Sequence, residues 1–392
     1  MEEAQAFKFL LLTNKSPKFK EFPKVDWEFE PRIDSAIFPY MFLQYGVEDT
    51  LKNRVNGSFA IAAFNRHTKT FYLAKNFQPL YFGIKDDILY YSSLPFTLND
   101  FIATTELPAY SLLEVNTSGN IKQNIDLYRN PKAESVLVCF SAGLDSTVTL
   151  RLYQVLGYKV AALNFGYGQR AKHAEEVCAI KICNELDIPF YHQKLDMHMF
   201  ESPLLKDSTV PEDINALKDA ETTLSYVPQR NLIFTSYALA YAEQLGYGAV
   251  SLGMNLSDGG AYPDNGIPFL YKLNELTPYS SNWQTRLRVT SPLVNLMKPE
   301  LIEIGLKIGV PFEHVCSCYY PRLDGHTPIY CGRCGSDLHY EYAWKVLGYR
   351  PPNLGFNITD KTLRIPPQGD ASPDKRLSME EIPYWPVFKE TI

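Results

Sequence analysis

Three hydroxyls and a carboxylate crowd the segment Ser141-Ala142-Gly143-Leu144-Asp145-Ser146-Thr147, directly after the apolar run Val136–Phe140. A plain strand-to-helix turn needs one capping side chain, so the surplus points to a ligand. Backbone amides and the positive end of a helix dipole converge at such a junction and together bind anions. The loop is not of Walker type, because GxxxxGK followed by Ser or Thr occurs nowhere in the chain. Arg230, in "VPQRN", adds a cation. Pro228 suits the first position of a helix, and that puts Arg230 in a first turn, where the dipole disfavours a cation unless an anion compensates. Lys298, immediately before Pro299 at another helix start, can face phosphate charge that develops during a reaction.

Two further loops bring hydrogen-bonding groups. "YGQR" carries Tyr167, Gln169 and Arg170, and "GMNLSDGGAYPD" carries Asn255, Asp258, Tyr262 and Asp264 beside paired glycines. A surface loop and a solvated turn are the blander readings of these two stretches. Acids, an amide and a flexible backbone also suit the polar edge of a purine-like ring. Cys316, Cys318, Cys331 and Cys334 form C-x-C, a gap of twelve residues, then C-x-x-C. Paired thiolates across a hairpin-sized gap make a tetrahedral structural zinc site.

These side chains need rigid elements behind them, and the hydrophobic pattern supplies strand–helix alternation from Val136 onward. Val136–Phe140 reads as a buried strand, with Asp145 or Ser146 capping a helix that carries Val148, Leu150, Leu152 and Tyr153. Lys159–Phe165, Pro189–Asp196 and Ala249–Asn255 read as further strands, and Arg170–Leu186 and Gln229–Gly246 as helices. Such alternation implies an α/β fold with a parallel doubly wound sheet, whose ligands sit at the carboxyl ends of the strands. Residues 1–130 differ: they lack helix-length amphipathic patterns and show short alternating runs at 57–65, 68–75, 79–84 and 87–93, a mainly β signature. Pro131 and two charges make Asn130–Ser135 a linker, so domains are expected at 1–130 and 134–350. Seven prolines between Pro351 and Pro386 exclude a helix or central strand. Residues 351–392 are therefore expected to run as an extended arm over the surface or onto a partner subunit.

The 392-residue chain is 45% hydrophobic and 21% charged, as for an ordinary globular protein, and its formal charge of −6 argues against a long polyanion such as DNA. No apolar run approaches a membrane span or a signal h-region, so a cytoplasmic protein is expected.

Taken in order, SAGLDS, YGQR, VPQRN, GMNxxD…YPD, PLVNLMK, SCY and CGRC resemble the motifs of the 7-cyano-7-deazaguanine synthase family of queuosine biosynthesis, within the ATP pyrophosphatase (PP-loop) superfamily. The resemblance runs from about Val136 to Gly348. It implies that ATP activates the carboxylate of 7-carboxy-7-deazaguanine as an acyl-adenylate, that an amine displaces AMP, and that a second activation turns the amide into a nitrile. It implies ATP binding by Ser141, Ala142, Gly143, Leu144, Asp145, Ser146 and Thr147, with Mg²⁺ beside the pyrophosphate. The implied catalytic set is Asp145, Ser146, Arg230 and Lys298. Tyr167, Gln169, Arg170, Asn231, Asn255, Asp258, Tyr262 and Asp264 would surround the deazaguanine, and a homodimer is implied as well.

The departures are specific. Ala142 stands where the family has Gly, and a positive φ there would cost about 1 kcal/mol. Asn265 and Gly266 replace the Cys-Arg that follows YPD. The family's zinc motif continues CGxCxxC, but its last position here is Asp337. Cys316, Cys318, Cys331 and Cys334 are therefore the expected zinc ligands, with Asp337 the rival for the fourth place.

"GSFAIAAFN" and "FYLAKNFQPLYFGIKDDILYYSS" resemble the glutaminase domain of asparagine synthetase. That domain needs a cysteine at residue 2, with its own amino group as base. Residue 2 here is Glu2, the first cysteine is Cys139, and Lys75-Asn76 stands where the family carries Arg-Asp. The resemblance thus implies a degenerate domain that releases no ammonia from glutamine and serves as a scaffold or docking surface. The attacking nitrogen is then either free ammonia or the amino terminus of a partner protein, the latter as in deazaguanine synthases of phage-defence operons. A catalytically dead binding module is the alternative.

Overall fold

The computed structural model describes residues 7–11, 18–19, 37–56, 58–94, 97–98, 102–127, 134–202, 204–205, 226–259, 262–281, 287–353, 355–356 and 358–385. The chain divides into two compact units, residues 1–131 with 276–286, and residues 132–275 with 287–392. The segment 276–286 groups with the first unit although it lies within the stretch expected to form the second domain.

The first unit is built on an antiparallel sheet whose strands lie in the order Phe7–Leu11, Ala60–Asn65, Thr70–Lys75, Ser111–Asn116 and Ile121–Asp126. Alternate residues serve opposite faces. Ile61, Ala63, Ala74 and Leu112 pack with Phe38 and Phe42, whereas Ala60, Ala62, Leu73 and Leu113 pack with Leu80 and Leu107. A helix at Phe38–Tyr45 supplies the first cover, contrary to the expectation of no helix in this region. It spans barely two turns, buries Phe38, Met41 and Phe42, and ends at Gly46 with φ 82°. So short an aromatic run carries too few periods to be read from sequence. The Lys75 ammonium is fully buried and paired with Glu106 at 2.6 Å. The neighbouring Asn76 accepts the Phe59 N–H at 3.0 Å through its side-chain oxygen.

The second unit contains β1 (Ser135–Cys139), α1 (Leu144–Val155), β2 (Lys159–Gly166), α2 (Lys172–Glu185), β3 (Phe190–Lys194), α3 (Arg230–Leu245), β4 (Ala249–Ser251), β5 (Arg288–Thr290), α4 (Lys298–Ile308) and α5 (Gly335–Val346). All neighbouring pairs are parallel, and the sheet order is β3-β2-β1-β4-β5. Val136 and Val138 of β1 face Leu150, Ala179 and Ile182 of α1 and α2, while Leu137 faces Ala238 and Ala242 of α3. Both faces of the sheet are covered, which is why its strands read as unbroken apolar runs. The order reverses between β1 and β4, and in open α/β sheets the crevice outside the carboxyl ends at that reversal takes the ligand.

Residues 358–385 hold one 3-10 turn, Met379–Glu381, and otherwise run as irregular chain broken by short turns at 361–362, 373–374 and 383–384, in keeping with the prolines. They lie against their own unit, as the expected arm over the surface. The fully buried Arg151 of α1 is the anchor: its guanidinium donates to the carbonyls of Asp370 (3.2 Å), Ser372 (2.8 Å) and Ile308 (3.0 Å). Gly309, at φ +80°, touches the Asp370 carbonyl so closely that an added Cβ would lie 1.8 Å away.

Candidate active site and cysteine cluster

A cavity of about 480 Å³ opens at the predicted reversal point, walled by Ser141, Gly143, Asp145 and Ser146 after β1 and by Gly253 and Met254 after β4. Four helices begin in its wall: α1 behind Gly143, α3 at Arg230, α4 at Lys298 and α5 at Gly335. Four converging positive dipole ends make this a site for a multiply charged anion.

The loop between β1 and α1 is shaped by its buried members. Ala142 has φ 60° and is fully buried, so the residue does take the left-handed conformation that its family counterpart would adopt as Gly. Leu144 and Thr147 are buried too, and the Thr147 hydroxyl donates to the Gly143 carbonyl at 2.7 Å. Neither Asp145 nor Ser146 caps α1. The N-cap is Gly143, and the Ser146 hydroxyl is turned back to the Ser141 N–H (3.3 Å) and the Gly143 carbonyl (3.2 Å). At the opposite wall an added Cβ on Gly253 would come within 2.9 Å of the Ser146 nitrogen, so β4 meets the loop only because residue 253 is glycine.

The carboxylates form a graded pair. The Lys298 ammonium reaches the Asp258 Oδ1 at 2.9 Å, and the Asn255 amide reaches its Oδ2 at 2.8 Å. Burial works against the Asp258 charge, but Lys298 and Asn255 outweigh it and hold the carboxyl below its ordinary value. Asp145 shares this environment and a hydrogen bond from Asn255, but its Oδ1 is buried and has no hydrogen-bond partner. Burial, reinforced by the Asp258 charge, pushes Asp145 up to about 7, although Lys298 pulls the other way. An unsatisfied buried carboxylate oxygen beside an ammonium suits a cation-bound phosphate better than solvent.

Most expected residues reach this cavity. Tyr167, Gln169, Arg170, Arg230, Asn231, Asp258, Tyr262, Asp264 and Lys298 all line it. Asn255 is fully buried and acts through Asp258. Gln169 spends its amide inside the protein, accepting the Tyr167 N–H at 2.8 Å and donating to Phe165 and Glu175. Pro228 lies before α3, not at its first position. The left-handed Gln229 (φ 56°) turns the chain so that Arg230 opens the helix, 3.4 Å from the Tyr167 hydroxyl.

Glu175, Ser317 and Tyr319 also line the cavity and were not singled out as binding residues from the sequence. Burial raises Glu175 to about 7 even though the Gln169 amide and the Arg230 charge oppose the shift. Ser317 and Tyr319 stand inside the SCY motif, where the cysteine signal masks them.

The sulfur cluster departs from the expected set. Cys318, Cys331, Cys334 and Asp337 place their ligand atoms within 4.8 Å of one another. Cys316 is not among them. Its N–H bonds the Ala142 carbonyl at 2.8 Å, and its side chain is buried with Val138, Ala142 and Cys178. The Asp337 Oδ2 accepts the Gly332 N–H at 2.7 Å, while its Oδ1 is buried without a partner. Backbone N–H groups of Tyr320 and Cys331 point at the Cys318 sulfur, 3.3 and 3.2 Å away. Three thiols, a carboxylate with an idle oxygen and N–H donors to sulfur fit a tetrahedral divalent ion.

A family model described as "Queuosine biosynthesis protein QueC" matches residues 135–347, the span that holds both the cavity and the cluster. The chain belongs to the 7-cyano-7-deazaguanine synthase family. It is an ATP-dependent C–N ligase of that family. Among its relatives, 7-cyano-7-deazaguanine synthase 2 of Sulfurisphaera tokodaii is 34% identical over 336 residues, covering 82% of this chain and 71% of the relative. The Saccharolobus solfataricus synthase is 33% identical over 347 residues, 84% of this chain and 73% of the relative. The synthase of Chloroherpeton thalassium is 33% identical over 222 residues, 55% of this chain but 94% of the relative. A "Glutamine amidotransferase domain" model matches residues 11–100, in agreement with the asparagine-synthetase-type resemblance.

Proposed function

We propose that this enzyme uses ATP to adenylate the carboxylate of 7-carboxy-7-deazaguanine, or a close deazapurine, and passes the acyl group to an amine with release of AMP. The observation that carries the reading is the buried, unpartnered Asp145 oxygen in an anion-binding cavity beside the Lys298–Asp258 pair. In this reading Ser141, Gly143, Asp145 and Ser146 hold pyrophosphate, with Mg²⁺ on the free Asp145 oxygen. Arg230 and Lys298 balance phosphate charge. Tyr167, Arg170, Asp258, Tyr262 and Asp264 border the deazapurine, and Asn231 steadies the last of these by donating to the Asp264 carbonyl at 2.9 Å. Mg²⁺ supplies charge neutralisation on the phosphates when bound. Zn²⁺ would sit on Cys318, Cys331, Cys334 and Asp337 in a structural role.

No cysteine occurs before Cys139, so the amidotransferase-like region has no thiol with which to open glutamine. The nitrogen then enters as free ammonia or as an amino group of a docked protein. Incubation with ATP, Mg²⁺ and 7-carboxy-7-deazaguanine, with and without ammonium, followed by mass spectrometry of small molecules and intact proteins, separates these outcomes. Ammonium-dependent AMP with amide or nitrile is the expected result. A mass gain on a co-encoded protein would instead identify the protein-conjugating ligase of a defence system. Absence of AMP in every condition sinks the reading and leaves a binding module.

A further inference from the structure

The segment that carries Cys318 is bonded to the ATP loop from both sides. Cys316 donates its N–H to the Ala142 carbonyl at 2.8 Å, and the Ser317 hydroxyl accepts the Leu144 N–H at 3.0 Å. Leu144 is the first residue of α1, so Ser317 occupies an amide at the very helix end that faces the cavity. Because its oxygen accepts there, the hydroxyl hydrogen is left to donate toward the space that Ser317 lines. Gly143 lies between the two hydroxyls: an added Cβ would stand 3.3 Å from the Ser141 oxygen and 3.7 Å from the Ser317 oxygen. Without that Cβ, an anion seated over the Gly143 backbone would find a hydroxyl donor on each flank.

Ser317 is in turn fixed by the elements of the cysteine cluster. Its N–H donates to the Tyr330 hydroxyl at 3.0 Å, and its carbonyl accepts the Ser336 hydroxyl at 2.6 Å. Tyr330 immediately precedes Cys331, and Ser336 immediately precedes Asp337 at the start of α5. Cys318 follows Ser317 directly and lies 3.3 Å from Asp337. The two hydrogen bonds that orient Ser317, with its own peptide link to Cys318, thus set it one residue away from three of the four cluster residues.

We propose that Ser317 is a phosphate-binding residue of the ATP site, held in place by the cysteine–carboxylate cluster, so that metal occupancy of the cluster sets the affinity for ATP. The inference rests on ATP binding at the Ser141–Thr147 loop but not on the identity of the acyl acceptor. The test is calorimetric titration of ATP·Mg²⁺ into the full-length protein, with metal content and circular dichroism recorded for each sample. Ser317→Ala should weaken ATP binding about tenfold, the loss expected for one hydrogen bond to a charged group, with metal content and fold unchanged. Ser317→Thr, which keeps the hydroxyl, should recover most of it. Stripping the metal from wild-type protein with a chelator should weaken ATP binding by at least the same factor, and should weaken Ser317→Ala protein by much less. Wild-type affinity in Ser317→Ala overturns the binding role. Unchanged ATP affinity in folded, metal-free wild type overturns the coupling. Failure of the wild type to bind ATP at all counts against the ATP reading itself, which separates the two failures.

Discussion

In the first unit the buried Lys75 and Asn76 are tied to Glu106 and to the Phe59 N–H. In the second, Asp145 and Asp337 each keep a buried carboxylate oxygen that nothing in the protein satisfies. The contrast extends further, because all six buried side-chain atoms without a partner among the described residues lie in the second unit. An orphaned buried polar group costs roughly 1–3 kcal/mol, so a fold retains one where something outside the chain completes it. Packed apolar faces carry no such information. The first unit keeps the alternating core of a sheet that an amidotransferase-domain model matches over residues 11–100. Two of the six unpartnered atoms, on Asp145 and Asp337, are carboxylate oxygens, one in the cavity wall and one in the cysteine cluster.

The sharpest way to break this comparison is to remove one group from each side. Asp145→Asn should lower AMP formation by about 10²- to 10³-fold, the scale for losing one preorganised charge at a reacting phosphate. Lys75→Met should leave AMP formation within about twofold, and stability within about 1–2 kcal/mol, because an apolar side chain of similar length replaces a buried ion pair at little net cost. Steady-state assays and urea titrations of both variants measure this. A comparable catalytic loss in Lys75→Met would show that the first unit does more than scaffold.

A smaller effect should appear in the dependence of stability on pH. Asp145 and Glu175 are each raised to about 7 by burial, so the folded state holds more protons than the unfolded state between their ordinary values and pH 7. Stability of the second unit must therefore fall as pH rises through that window, by about 1.4 kcal/mol per pH unit for each group. Thermal melts from pH 5 to 8 should show the slope, and Asp145→Asn should flatten part of it. A profile that rises with pH would contradict burial as the force that raises these carboxyls.

The smallest effect is expected at Ala142→Gly. Relief of the left-handed backbone gains about 1 kcal/mol, and the lost methyl in a fully buried position costs about 0.8 kcal/mol. The two nearly cancel, so melting should shift by no more than a degree or two. A large loss would mean that the Ala142 methyl, packed against Cys316, is essential to the loop.

Much of this was legible in the sequence, where local chemistry and position coincide. The apolar run before Ser141, the Arg and Lys at helix starts and the acids after β4 all converge on one cavity, because strand ends in a parallel sheet gather there. The fourth cluster residue was legible only as a choice between Cys316 and Asp337. Cys316 and Cys318 look equivalent as letters, but the Cys316 N–H is captured by Ala142 and its thiol turns to the sheet side. Only the placement of α5 brings Asp337 into reach. Glu175 escaped for a related reason: an acid early in a helix reads as favourable with the dipole, and the cavity that makes it unusual is assembled by distant segments. The strand Arg288–Thr290, three residues long, has no period to detect.

Arg151 grips the C-terminal arm through main-chain carbonyls at Asp370 and Ser372, and Gly309 leaves room for that backbone. A carbonyl oxygen is the same on every residue. Mutation can therefore rewrite the letters of the arm at those positions without touching the grip, provided that the backbone keeps its course. At those two positions the constraint falls on the receiver, one arginine and one glycine far away in sequence, whereas Leu377, Ile382 and Trp385 hold the rest of the arm by their side chains.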